Sequence, residues 1–185
     1  SVGYDKGLPG ESGPGYWRAM PESGSEVATC ALNFSEGSDW LLNIERLQFK
    51  DKGLAFDLDG HAGVAAKTLG LVFGAAAASV PAYVGICLDR LENQHQTKEQ
   101  LMHDALAIRL GVGSQNAEQV VSFLYQSLMG VMPTKPVQDF YVNWIQSGAY
   151  TIDSLAVYAA DLSLNAVTAQ LTGMAATGVA YDLPL

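Results

Sequence analysis

A chain of 185 residues, 49% of them hydrophobic, can bury one medium core or two small ones. Only 16% of its residues are charged, and 19 acids against 10 bases leave a formal charge of -9. That balance argues against binding to a phosphate backbone, which needs clustered Lys and Arg, and disfavours anionic membrane surfaces; it suits solubility, cation binding and export.

Residues 1–15 read as a Gly/Pro-rich flexible lead, Gly7-Leu8-Pro9-Gly10-Glu11-Ser12-Gly13-Pro14-Gly15. Its three collagen-like triplets are too few for a triple helix, and Gly15 breaks the period. The start at Ser1, with no basic-then-apolar leader, leads us to expect a fragment, a processed product, or export by a route that reads another signal.

Residues 16–58 predict a β-rich segment with strands at Tyr16–Met20, Glu26–Phe34, Trp40–Phe49 and Leu54–Leu58. Turn signals at Pro21-Glu22-Ser23-Gly24, Ser35–Asp39 and Asp51-Lys52-Gly53 separate them. Alternation within Ile44–Phe49 sets Leu47 and Phe49 on one face and Arg46 and Gln48 on the other. A sheet this small is marginal alone and is expected to pack on the helices C-terminal to it.

From His61 the apolar period becomes helical. The spacing predicts helices over Val64–Phe73, Pro81–Leu91, Lys98–Leu110, Ala117–Met129, Pro136–Gln146, Ile152–Leu164 and Ala166–Ala176. Pro81 and Pro136 fit first helical turns. Thr97 with Gln100, and Asn116 with Gln119, form capping-box patterns, and Thr151 with Asp153 opens a helix with an acidic first turn. The Ala-rich stretch around Leu69–Val80 is too short and interrupted to span a bilayer, so no transmembrane segment is expected.

The helical part repeats itself. Leu69, Phe73-Gly74, Pro81, Leu88, Thr97, Leu101 and Ala105 recur as Tyr125, Met129-Gly130, Pro136, Trp144, Thr151, Leu155 and Ala159. Residues 61–181 thus read as a duplicated helical domain, with repeats about 64–111 and 119–165. The expected fold class is α+β, mainly α: a small N-terminal antiparallel β segment packed on a duplicated three-helix unit.

Gly37-Ser38-Asp39-Trp40-Leu41-Leu42-Asn43-Ile44-Glu45-Arg46-Leu47-Gln48-Phe49-Lys50-Asp51 resembles the strand-turn motif of repeats-in-toxin type exported bacterial proteins. Ala55-Phe56-Asp57-Leu58-Asp59-Gly60-His61-Ala62-Gly63 is similar to the junction after that motif. Phe123–Gly130, Trp144, Gly148, Thr151, Leu155 and Ala160-Asp161 resemble the short helical domain of unknown function that comes next in S-layer proteins, adhesins and secreted hydrolases exported by type I systems. The resemblance covers roughly residues 36–181. It implies an extracellular or cell-surface location, export by an uncleaved C-terminal signal, and a non-enzymatic role. The calcium nonapeptides of such proteins are absent, and the first helical unit carries Ile86 or Leu88 where the second has Trp144.

Asp57-Leu58-Asp59-Gly60 is the best candidate for a metal site, because carboxylates at alternate positions before a Gly turn can converge on calcium. It lacks the donors of an EF-hand, having Ala55 and Ala66 where oxygen ligands belong. The alternative has Asp59 capping the next helix and Asp57 facing solvent. His95, Glu99 and His103 stand four apart, but the Thr97 cap sets His95 before the helix, so surface roles are expected. His61 beside Asp59 reads as a cap or hydrogen-bond partner. Cys30 and Cys87 sit in apolar contexts; they read as buried free thiols or as one disulfide. Gly-x-Ser-x-Gly, His-Glu-x-x-His, P-loop and Cys-x-x-Cys motifs are absent, so no catalytic residue is nominated. Trp144 and Trp40 read as core, and Trp17 as the Trp best placed for binding.

These observations lead us to expect an extracellular structural or interaction module, not an enzyme, that self-associates or engages another cell-surface or secreted protein. Nucleic acid is not an expected partner. The alternatives are an accessory C-terminal domain of a secreted hydrolase, and a calcium- or ligand-binding module using the Asp57–His61 loop or an apolar groove between the two helical units.

Overall fold

The computed structural model describes residues 30–34, 37–41, 44–49, 52–113 and 116–183, with side chains omitted for 30–34, 37–41, 175 and 176. The Gly/Pro-rich lead, the strand expected at Tyr16–Met20, the first residues of Glu26–Phe34 and Trp17 lie outside the described residues.

β1 (Cys30–Phe34) and β2 (Gly37–Leu41) form an antiparallel pair, with Cys30 opposite Leu41 and Phe34 opposite Gly37. The expected turn at Ser35–Asp39 is therefore shorter, since Gly37 already belongs to a strand. The expected strand Trp40–Phe49 is two: β2 ends at Leu41, and β3 spans Arg46–Gln48. β4 (Gly53–Ala55) stops three residues before the expected Leu58, which lies in a turn.

The second sheet runs β3-β4-β5, all antiparallel, and β5 (Val179–Tyr181) comes from the far end of the chain. Arg46, Ala55 and Val179 lie in one row, and Leu47, Leu54 and Ala180 in the next. Ala55 and Val179 are buried, whereas Leu47 and Leu54 are half-buried. The better-buried face is thus the one carrying Arg46, because Ala55 and Val179 on it join the core with Ala62, Ala65 and Val84; the Arg46 guanidinium itself lies 6.0 Å from the centre of the Tyr181 ring. Gly53 leaves room for that ring; a Cβ there would run into it. The exit from β5 packs along the helix Pro81–Glu92, where the Asp182 N–H donates to the Pro81 carbonyl (3.0 Å) and Gly85 lets the Asp182 backbone approach.

α1 (His61–Phe73) is rich in small residues and buried on most sides, as a central helix must be. α2 (Ala75–Ala78) is one turn, α3 spans Pro81–Glu92 with Pro81 in the first turn, and α4 spans Lys98–Leu110. Next come α5 (Ala117–Met129), α6 (Lys135–Gln146) and α7 (Ile152–Asp161). The expected helix to Leu164 ends early because Leu162 is extended, at φ -65° and ψ 140°. The expected helix Ala166–Ala176 is instead α8 (Ser163–Thr168) and α9 (Met174–Thr177), broken by positive φ at Gln170 and Gly173. Among the described residues no helix is long and apolar enough to cross a membrane.

The fold is mainly α, and the small sheet packs against α3. The helix order recurs: α1 and α5 begin at His61 and Ala117, 56 positions apart; α3 and α6 at Pro81 and Lys135, 54 apart; α4 and α7 at Lys98 and Ile152, 54 apart. The drift falls in one connector, between the first and second helices of each unit. The units meet in a shared core in which Val72, Met102 and Leu106 face Val120, Ala156 and Ala160. Asn165 bolts this seam: its Nδ2 donates to Lys67 O (3.1 Å) and Ala160 O (2.9 Å).

Candidate functional site: equivalent clefts in the two helical units

Each helical unit encloses a cleft between its three helices. In the first unit α1 contributes Thr68, Leu69 and Phe73, α3 contributes Cys87 and Arg90, and α4 contributes Leu101, Asp104, Ala105 and Ile108; the cleft holds about 620 Å³. In the second, α5 contributes Leu124, Tyr125 and Met129, α6 contributes Tyr141 and Trp144, and α7 contributes Leu155, Tyr158 and Ala159, with Leu162 just past its end; this cleft holds about 260 Å³. These nine positions correspond between the clefts at an offset of 56 or 54, whereas Ala76, Ala77, Val80, Tyr83 and Ile86 line only the first cleft and Val121, Leu128 and Leu164 only the second.

The contents have diverged. Cys87, Arg90 and Asp104 occupy the positions of Tyr141, Trp144 and Tyr158. In the second unit these rings fill the space: Trp144 stacks on Tyr150 at 5.4 Å and 20°, and meets Tyr141 and Tyr158 edge-on. In the first unit the Arg90 and Asp104 side chains reach each other instead, at 2.5 Å, and the Gln96 amide also donates to Asp104 (3.1 Å). Trp144 therefore corresponds to Arg90, not to Ile86 or Leu88. The offset shared by α3 with α6 and α4 with α7 fixes that correspondence.

Cys87 is a free thiol in the wall of the first cleft, and burial pushes its pKa up to about 11 against the pull of Arg90. It is a poor nucleophile at neutral pH. The side chain of its suggested partner, Cys30, lies outside the described residues. Elsewhere, amides of Asn93 and Gln94 hold the Asp89 carboxyl below its ordinary value, and Asp139 holds the Lys135 ammonium above its own.

At the strand-to-helix junction the structure does not place Asp57 and Asp59 alike. Asp57 pairs with Arg46 and accepts from the Ala62 N–H at the start of α1 (3.3 Å), so it is Asp57, not Asp59, that serves the helix end. Asp59 is exposed. Arg46 reaches on to Glu92 (2.5 Å), and His61 Nδ1 stands 3.5 Å from the same carboxylate. Among the described residues no three His, Cys, Asp or Glu side chains are grouped to hold a metal ion. His95 lies before α4 with φ 54°, off the helix that carries Glu99 and His103; His103 faces Asp153 across the seam between the units (3.2 Å).

An apolar groove is expected between the units, whereas the clefts lie one inside each. The repeat carries a signal for them: an offset of 54 sets Arg90 and Asp104 against Trp144 and Tyr158. Comparison of the chain with protein-family models, curated proteins and solved structures finds no match.

Proposed function

We propose that the chain is a structural or interaction module of an exported bacterial protein, acting outside the cell and without catalysis, and that it associates with a second copy of itself. The observation that carries this reading is the apolar face around the second cleft. Met129, Phe140, Tyr158, Leu162 and Leu164 are all exposed there, and no charged residue lines the cleft. Contiguous exposed apolar surface marks an interaction site. Two copies that each carry -9 repel over most of their surfaces, so they meet most readily where neither presents charge. The strand-turn resemblance over Gly37–Gly63 supports the exported, cell-surface setting.

Light scattering after size exclusion tests this, run once with calcium and once with chelator. A dimer or larger assembly is expected, dissociated by Phe140→Glu at the exposed rim. A monomer at every concentration in both buffers overturns the reading. Calcium dependence that disappears in an Asp57→Asn, Asp59→Asn variant would assign calcium to that loop.

A further inference from the structure

We infer that copies of the chain associate head to tail, the apolar rim of the second helical unit of one copy seating in the open cleft of the first helical unit of the next. This mode rests on the self-association proposed above and names its other surface. The two units carry large apolar side chains at the same exposed positions: Phe73, Ile86 and Ile108 in the first correspond to Met129, Phe140 and Leu162 in the second, and all six are exposed. Packing within the chain does not account for that agreement. The cleft-lining positions beside these residues have changed character, from Cys87, Arg90 and Asp104 to Tyr141, Trp144 and Tyr158. Exposed apolar residues on both units call for a cover on both, and one contact between unlike units covers the two together.

Shape and charge both favour first-to-second contact. The first cleft holds about 620 Å³, and Arg90 and Asp104 pair in its wall, so it offers room without net charge. The second holds about 260 Å³ and is filled by its own rings. Phe140 stands on those rings, 5.3 Å from both Tyr141 and Trp144, yet is 55% exposed. An aromatic side chain held on such a stack and left in water is an anchor for an apolar pocket. Two first units would present cavities to each other and fill neither. Two second units would bring like charge together: residues 116–168 carry Lys135 alone against Glu118, Asp139, Asp153 and Asp161, whereas acids balance Lys and Arg over 61–113. A second-to-first contact sets the acidic unit against a neutral one. Among the described residues none lines both clefts, so one copy can receive and insert at once. Such a contact is heterologous, and copies add until a ring closes.

Two full-length variants, each disabled at one surface, decide the mode by light scattering after size exclusion. Phe140→Glu alters the rim of the second unit, and Ile108→Glu alters the mouth of the first cleft. The natural chain should assemble, and each variant alone should be a monomer. Their equimolar mixture should give a species of twice the chain mass and nothing larger, because each brings the one intact surface that the other lacks. Ile108→Glu that self-associates as strongly as the natural chain overturns the head-to-tail mode while leaving self-association standing. A mixture that stays monomeric, although the natural chain assembles, does the same. A natural chain that is itself monomeric overturns self-association and this mode with it. Should Phe140→Glu fail to fold, Met129→Glu, also at an exposed side chain of that rim, takes its place.

Discussion

Arg90 on α3 and Asp104 on α4 meet at 2.5 Å, while the equivalent positions of the second unit hold Trp144 and Tyr158, with ring centroids 6.3 Å apart. The same interhelical joint is made once by charge and once by aromatic packing. About a third of each charged side chain is exposed (31% and 37%), so solvent screens the pair. Arg90→Ala should therefore cost only about 0.5 kcal/mol. Asp104→Ala also strands the Gln96 amide and should cost about 1 kcal/mol. Urea denaturation of both variants checks the order; a larger loss from Arg90→Ala would show that Asp104 is not the hub.

Asn165 should be among the least replaceable polar residues. It is 1% exposed, and its amide satisfies one carbonyl of α1 and one of α7. Asn165→Leu removes both bonds beside a close helix contact, where Gly70 has room only for the Ala169 methyl. A loss of about 3 kcal/mol is expected, seen as a lowered urea midpoint. Asn165→Asp sets a carboxylate against two carbonyls, and burial raises its pKa. Its folded state should then be least stable at neutral pH and gain as pH falls towards protonation of the new carboxyl.

The two full capping boxes give a cleaner pair of measurements. Thr97 and Gln100 exchange bonds at 3.2 and 2.8 Å, and Thr151 and Ser154 do so at 3.0 and 2.9 Å. Thr97→Ala and Thr151→Ala should each cost about 1 kcal/mol. The boxes share no partner, so the double variant should lose the sum. A double loss well below the sum would mean that the ends of α4 and α7 fold as one unit.

These helix starts are legible in the sequence because a cap or a Pro acts within one turn of chain. Asn116 shows the limit: its side chain accepts from the Gln119 N–H, as the pattern predicts, but the Gln119 amide oxygen accepts from the Asn116 side chain, leaving the return bond to the backbone unmade. β5 is not legible, since Val179–Tyr181 is only three residues long and takes its extended form from pairing with Gly53–Ala55. Nor is the role of Asp57, because Arg46 reaches it from another strand. The duplicated architecture is readable from spacing. The offset of 54 also sets Arg90 and Asp104 against Trp144 and Tyr158, but that these positions line clefts is not readable, because it depends on which faces of three helices turn towards one another.

Cys87 gives the molecule a pH dependence of known sign. Its thiol titrates near 11 in the fold, against 9.0 for an ordinary cysteine, because burial disfavours the thiolate. Between those values the folded chain holds a proton that the unfolded chain has lost. The contribution is therefore fully present below about pH 9 and is lost as pH rises through 11. Two pKa units correspond to about 3 kcal/mol. Other groups titrate in the same range, so the measurement is the stability difference between the natural chain and Cys87→Ala, taken by urea denaturation at about pH 8 and again at about pH 11. The advantage of the natural chain should shrink by about 2–3 kcal/mol across that interval. An advantage that is constant, or grows with pH, would mean that the thiol at the cleft wall ionises in contact with water or beside Arg90. Alkylation by iodoacetamide at about pH 8 gives a second reading, because a buried thiol of raised pKa should react far more slowly than the same cysteine in urea.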